Sequence, residues 1–196
     1  MDKQNKFASI AIILLVIVAL AIVAAIFWRQ KSSPVPVPTT SSPTSTLTQP
    51  VFDAKNSTFT INGKPITLIN GITEVPIPNS SARVITRYFG NETKGNISGN
   101  GTEDVAFLVT QDTGGSGVFY YVVAALKTAN GYKTTNAFLV GDRIAPQTTH
   151  IQSDTRELYV NYAGRKPNEP MTAQPSVGAT LILKVTVDGV LKRLMK

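Results

Sequence analysis

Residues 104–110 read DVAFLVT and residues 118–126 read VFYYVVAAL, with the tetrapeptide Gly114-Gly115-Ser116-Gly117 between them. β-Branched and aromatic residues, which favour strands, dominate both runs, and the glycines permit a sharp chain reversal. A turn at residues 128–131 leads into a third run at 132–140. The three runs predict an antiparallel meander, and the middle run, apolar on both faces, predicts a central buried strand. A buried helix at 118–126 is the alternative, which the glycine-rich flanks disfavour.

Shorter apolar runs continue the pattern on both sides of this centre. Residues 58–61 and 65–69 are joined by Asn62-Gly63, a dipeptide typical of tight hairpins. The other runs are residues 83–89 (RVITRYF), 157–162, 179–187 and 190–194. We predict a mainly β fold of about ten strands, in which residues 51–196 form one antiparallel β-meander or sandwich-like domain. A highly curved sheet, or a sheet with one small helix, is the alternative.

The N-terminal part of the chain has a different character. After a short tail at residues 1–6, residues 7–28 form an uncharged apolar run that would span about 33 Å as a helix. We predict a transmembrane helix there, with the lipid bilayer as its partner. A cleaved signal peptide is the alternative, but its formal site at Ala19-Leu20-Ala21 lies inside the run, which Trp28-Arg29 closes like a membrane interface. A type IV pilin helix would need a processing glycine and an early glutamate, which this segment lacks.

Residues 29–50 connect this helix to the β-rich region. The segment contains five prolines among many Ser and Thr residues, namely Pro34, Pro36, Pro38, Pro43 and Pro50. Such a composition cannot build a core and favours extended chain, so we predict a disordered linker that raises the domain from the membrane. The expected location is the cell membrane, single-pass, with the N-terminus cytoplasmic and the domain extracytoplasmic. A disordered cytosolic linker is the alternative.

Composition excludes several classes of protein. The chain contains no cysteine, which excludes a disulfide framework, a thiolate nucleophile and a zinc-thiolate site. The formal charge is +7, and because Lys3, Lys6, Arg29, Lys31 and Asp2 contribute +3 of it, the domain carries +4. Its basic residues are scattered rather than clustered, so we do not expect a nucleic-acid partner.

The most distinctive polar segment is residues 96–104, NISGNGTED. Its spacing copies a calcium-binding loop, with oxygen-bearing side chains on Asn96, Ser98, Asn100 and Asp104 at loop positions 1, 3, 5 and 9 and a glycine at position 6. These four residues are the candidate metal ligands, and calcium is the only cofactor that the sequence suggests. Only Asp104 is charged, and Phe107 stands where the final carboxylate belongs. A polar turn entering a strand is therefore the alternative, and the sequence favours it.

Two further segments are candidate interaction loops. Asp142 and Arg143 follow a predicted strand, and Glu169 and Gln174 belong to a proline-rich loop. Each could equally be a structural corner, because Gly, Pro and Asp are turn formers. The single histidine, His150, has no acid or nucleophile patterned around it and is predicted to be a surface strand residue. No catalytic residue is predicted, and no hydrolase, metalloprotease, phosphate-binding or dinucleotide motif occurs.

Several of these segments together carry a resemblance to a known family. They are residues 87–92 (RYFGNE), 100–108 (NGTEDVAFL), 113–117 (TGGSG), 141–143 (GDR) and 169–172 (EPMT). In them the chain resembles a family of uncharacterised, single-pass, membrane-anchored bacterial proteins, many from candidate phyla, over most of residues 56–180. In those relatives the turn before the DVAFLVT-like strand usually reads D-L-N-x-D-G-x-x-D, similar to loops of integrin-type propeller repeats. This chain departs from that pattern at Asn96, Ser98 and Asn100.

These observations suggest a non-enzymatic surface domain that binds a protein, glycan or other envelope component through its loops. The alternative is an envelope hydrolase or a hydrolase inhibitor. That activity would require acids such as Glu103, Asp104 and Asp112 to converge in one cleft.

Overall fold

Strands account for almost all of the regular structure in the domain. The computed structural model describes residues 51–195, which belong to one compact unit of the chain, Gln49–Lys196. The tail predicted at 1–6, the membrane helix predicted at 7–28 and the linker predicted at 29–50 lie outside the described residues. Within residues 51–195, no helix has the length and apolar character that a membrane crossing requires.

After a 3₁₀ turn at Ala54–Asn56, the described residues contain twelve strands. They are β1 (Thr58–Ile61), β2 (Lys64–Thr67), β3 (Ile72–Pro76), β4 (Arg83–Gly95), β5 (Asp104–Asp112), β6 (Val118–Thr128), β7 (Gly131–Thr134), β8 (Phe138–Asp142), β9 (Ala145–Gln152), β10 (Glu157–Gly164), β11 (Val177–Val185) and β12 (Leu191–Arg193). The strands pair antiparallel in a β1-β2 hairpin, a six-stranded sheet ordered β3-β4-β5-β6-β7 with β8 also paired to β6, and a four-stranded sheet ordered β12-β11-β10-β9.

The central pair β5-β6 is buried on both faces, which explains why its sequence is apolar without alternation. One face packs against the four-stranded sheet, with Leu108 and Val122 meeting Leu158 and Val160. The other face packs against the β1-β2 hairpin, where Phe107 lies 6.2 Å from the ring centroid of Phe59. Each large side chain buried in this way stabilises the fold by about 1.5–3 kcal/mol.

The mainly β, antiparallel fold predicted from the sequence is confirmed, and so is the central buried strand at β6. The hairpin at Asn62-Gly63 is also as predicted, because both residues have the positive φ, 50° and 77°, that this tight turn requires. The predicted strand at 83–89 extends to Gly95, since the register shifts near Gly90 as a bulge and the chain does not turn there.

Two expectations for the strands were wrong. The run at 132–140 is two strands, β7 and β8, because Thr135 turns inward and accepts the Ala124 amide through Oγ1 at 3.1 Å. The predicted runs also omit β3 and β9, although His150 of β9 was expected on a surface strand. Both lie at sheet edges, and each contains a proline and exposed polar residues in place of an apolar run.

Candidate functional site

The loops that connect the strands gather at two opposite ends of the domain. The N-terminal end holds residues 96–103, 153–156 and 186–190, and Val51 lies there beside Glu103 and Lys127. The other end, here the loop end, holds residues 113–117, 143–144 and 165–176. The predicted metal ligands therefore lie at the N-terminal end, and the predicted interaction residues lie at the loop end.

Arg165 joins the two predicted interaction loops into one surface. Its Nη1 atom donates to the carbonyl oxygen of Arg143 at 2.7 Å, and its Nε atom donates to the carbonyl oxygen of Ala173 at 2.6 Å. The Ser176 amide closes the base of the 165–176 loop by donating to the carbonyl oxygen of Gly164 at 2.8 Å. Segments separated by more than twenty residues are thus held in a fixed relation.

Asp142 and Arg143 form the corner that Arg165 contacts. Arg143 Nη2 donates to Asp142 Oδ2 at 2.9 Å, and the Val118 amide donates to Asp142 Oδ1 at 3.0 Å. Arg143 has a positive φ of 46°, and its amide donates to the carbonyl oxygen of Val118 at 2.8 Å. The carboxylate of Asp142 therefore holds the turn at residues 142–143 in one conformation, and this turn supports the 165–176 loop beside it.

The 165–176 loop presents the side chains that remain available to a partner. Glu169 Oε2 accepts the Lys166 amide at 2.9 Å, so this carboxylate also shapes the loop. Gln174 is exposed, and its side chain makes no hydrogen bond to another residue in the range 51–195. Met171 is 41% exposed. A polar amide, a carboxylate and an apolar side chain thus share one ordered loop.

The calcium-like segment uses its oxygen atoms internally. Asp104 is fully buried, and its two carboxylate oxygens accept the Ser98 and Lys127 amides, each at 2.8 Å. Asn96 Oδ1 accepts the Gly99 amide at 2.8 Å, and Asn100 Oδ1 accepts the amide of Thr102 at 2.9 Å. The segment is a polar turn that leads into β5.

This arrangement does not fit a calcium ion. Calcium requires six or more oxygen ligands and several carboxylates, whereas these oxygens already accept hydrogen bonds from the chain. The guanidinium of Arg156 also packs directly against Gly99, where a Cβ atom would come within 2.5 Å of Arg156 Cζ. Across residues 51–195, no group of three or more acidic or histidine side chains is placed to hold a metal ion. Calcium binding stays a prediction, and the geometry favours the polar-turn alternative.

The acids considered for catalysis do not converge. Asp104 and Asp112 stand at the two ends of β5, roughly 27 Å apart at the usual rise of a strand. Asp112 Oδ1 accepts the Gly114 amide at 2.8 Å, and Glu103 lies 3.5 Å from Lys94 Nζ in a surface ion pair. Asp104 and Asp112 are therefore too far apart to act on one bond, and Asp104 is buried with both oxygens accepting amides.

His150 lies on β9 and is exposed. Its ring stacks on Tyr159 with a centroid distance of 4.7 Å and an interplanar angle of 9°, and the Tyr159 hydroxyl donates to Glu157 Oε2 at 2.5 Å. This is the surface strand histidine that the sequence predicted.

Sequence reasoning missed a cleft of about 470 Å³ at the N-terminal end. Its cationic side chains are Arg156 and Lys184, and its apolar walls come from residues that include Leu126 and Val187. Arg156 has φ of 55°, a left-handed conformation that costs a non-glycine residue about 1–2 kcal/mol. The lining comes from four segments far apart in sequence, so no local spacing could have indicated it.

Comparison with protein-family models, curated proteins and solved structures found no match. The family resemblance therefore stays an expectation from the sequence.

Proposed function

We propose that this chain is a single-pass membrane protein that presents residues 51–196 outside the cytoplasm as a non-enzymatic binding module. The partner would be a protein, glycan or other component of the cell envelope, held at the loop end. The observation that carries this proposal is the double hydrogen bond of Arg165, which fixes the 143–144 turn and the 165–176 loop as one surface.

Preorganisation is the physical reason that this surface suits binding. A loop that is already ordered loses less conformational entropy when a partner docks, so more of the contact energy is retained as affinity. Here the buried strands position the loop, and the exposed Gln174 and Met171 are free to make contacts.

The position of the loop end also supports this proposal. Val51, the first described residue, lies at the opposite end of the domain, beside Glu103. A tether that joins the domain at Val51 would leave the loop end facing away from the attachment point. The apolar run at 7–28 and the proline-rich segment at 29–50 have the composition of such a tether.

The hydrolase alternative has less support. It requires converging carboxyl groups, and Asp104 and Asp112 lie at opposite ends of β5. Asp104 is also buried, with both oxygens accepting backbone amides.

A sedimentation assay tests the binding proposal. A fragment of residues 49–196 contains both hydrophobic cores, on the two faces of the β5-β6 pair, and therefore the packing that holds the domain together. The fragment is mixed with cell envelopes isolated from the organism that encodes it, and the fraction that pellets is measured. We expect saturable pelleting that falls about tenfold in a Glu169→Ala, Gln174→Ala double variant, a combined loss of about 1.4 kcal/mol that lies within the range for truncating central contact residues.

The matched control changes one acid and one amide at the N-terminal end, Asp154→Ala with Asn130→Ala. This variant should pellet like the wild-type fragment. Absence of saturable pelleting, or equal losses in the two double variants, would contradict binding through the loop end.

A further inference from the structure

We propose that the cleft at the N-terminal end is a second binding site, and that it takes an oxyanion, phosphate or carboxylate, attached to a small apolar group. The site is separate from the loop end and does not depend on the function proposed there. Its volume of about 470 Å³ is within the range of small-molecule sites.

Two cations line the cleft and none of its lining residues is acidic. Within residues 51–195 the Arg156 guanidinium makes no ion pair or side-chain hydrogen bond, so its donors are available to a ligand. Lys184 Nζ lies 3.8 Å from Glu157 Oε1, and the Lys184 side chain keeps 44% of its surface exposed. A guanidinium and an ammonium group that line one cleft are a common combination for binding phosphate and carboxylate.

Arg156 combines an unfavourable backbone conformation with a close side-chain contact. Arg156 occupies a left-handed position that glycine or asparagine adopts more easily. Its guanidinium packs against Gly99, where any Cβ atom would displace it. A side chain at position 99 would therefore occupy the space in which the Arg156 guanidinium lies.

A hydrogen-bonding group lies within the cleft wall. The Ser98 Oγ atom is buried and has no hydrogen-bond partner among the described residues. Because this oxygen has almost no solvent-accessible surface, the Ser98 side chain would have to rotate before an oxyanion in the cleft could be its acceptor.

The apolar walls determine the rest of the ligand. Leu126, Val185 and Val187 face the same cleft, and Val187 is fully exposed at the tip of the β11-β12 turn. A bare inorganic ion would leave this surface in water, whereas an alkyl group next to the oxyanion would cover it. Two buried acids lie near the cleft: Asp104 accepts two amides, and Glu157 accepts the Tyr159 hydroxyl and pairs with Lys184. Arg156 is therefore the cleft cation that makes no ion pair within residues 51–195.

Titration of the 49–196 fragment with n-butyl phosphate, followed by backbone amide NMR, tests this site. We expect saturable shifts centred on Ser98 and Gly189, and weaker binding of inorganic phosphate. The Arg156→Asn variant suits the left-handed backbone and should fold at least as well, yet it should weaken binding about tenfold. Arg87→Gln, which removes the same charge on β4, should bind like the wild-type fragment.

Lys184→Gln supplies a second test if Arg156→Asn fails to fold, and it should also weaken binding. Saturable shifts that are unchanged in both variants, or no shifts in the cleft at all, would overturn the proposal. Vesicles containing phosphatidylglycerol identify the source of the oxyanion. Arg156-dependent pelleting with the vesicles assigns a lipid headgroup, and butyl phosphate binding without pelleting assigns a soluble or polymer-bound group.

Discussion

At the scale of single residues, Asp104 is a buried charged side chain that accepts hydrogen bonds from the backbone. Its carboxylate is inaccessible to solvent, and its oxygens accept the Ser98 and Lys127 amides at 2.8 Å each. It thereby ties the turn before β5 to the end of β6. A carboxylate suits this position because both of its oxygens are acceptors, and unsatisfied buried amides are costly.

We expect Asp104→Asn to destabilise the domain by about 2–4 kcal/mol. An asparagine side chain has one oxygen acceptor and one NH₂ donor, so its NH₂ group would face either the Ser98 or the Lys127 amide. That buried backbone N–H group would then have no acceptor. Urea unfolding followed by circular dichroism measures the change. Asp154→Asn, at an exposed position, should alter stability by less than about 0.5 kcal/mol. Equal stabilities for the two variants would contradict the role assigned to Asp104.

Tyr88 gives the domain a predictable response to alkaline pH. Burial, together with the hydrogen bond from its hydroxyl to Glu92 Oε2 at 2.9 Å, raises its pKa from 10.0 to about 12. Because this pKa is raised in the folded state, the unfolded chain loses its proton first as pH rises. The contribution of Tyr88 to stability is therefore complete below pH 10.0 and is lost progressively towards about pH 12.

The Tyr88→Phe variant should lose less stability than the wild-type domain between about pH 8 and pH 11. Burial also raises the pKa of Tyr121, so some alkaline loss should remain in the variant. Urea midpoints at the two pH values measure the difference. A variant whose midpoint falls as steeply as that of the wild-type domain would show that the Tyr88 pKa is not raised.

At the scale of elements, β5 and β6 form the centre of the fold, because both faces of the pair are covered. Leu108 is fully buried on the face towards the four-stranded sheet, while Leu139 on β8 is 49% exposed. The same substitution at these two positions therefore compares a core site with a surface site.

Leu108→Ala should cost about 2–5 kcal/mol, because the lost methyl groups leave a cavity in a closely packed core. Leu139→Ala should cost less than about 1 kcal/mol. Chemical unfolding of both variants measures the contrast. Similar losses at the two positions would contradict the layer arrangement.

The Arg165 side chain connects the 165–176 loop to the turn at Arg143. In Arg165→Lys the charge is kept, but the guanidinium that donates to the Arg143 and Ala173 carbonyls is lost. Amide hydrogen exchange in residues 166–176 should accelerate, and global stability should fall by about 1–2 kcal/mol. Unchanged exchange in this loop would show that Arg165 does not hold it.

The elements that the sequence could predict are those specified by nearby residues. The Asn62-Gly63 hairpin follows from two adjacent residues, and β6 follows from a continuous apolar run. The edge strand β9 could not be found in this way, since only alternate residues such as Ile151 face the core and Pro146 interrupts the pattern. The bridge from Arg165 to Arg143 and the cleft at Arg156 depend on packing between distant segments, which spacing alone does not reveal.

At the scale of the whole molecule, the domain separates two surfaces. The loop end is proposed to contact an envelope component, and the cleft at the N-terminal end is proposed to bind an oxyanion. Val51 lies at the N-terminal end, beside Glu103 and away from the loop end. Binding of an envelope component at the loop end requires that the domain lie outside the cytoplasm.

Protease treatment of intact cells that carry a C-terminal tag tests that central claim most directly. A protease that cannot cross the membrane should cut within residues 29–50 and release the tagged domain, while a cytosolic marker stays intact. A tag that remains on the cells and becomes sensitive only after lysis would place the domain in the cytosol and contradict the proposed function.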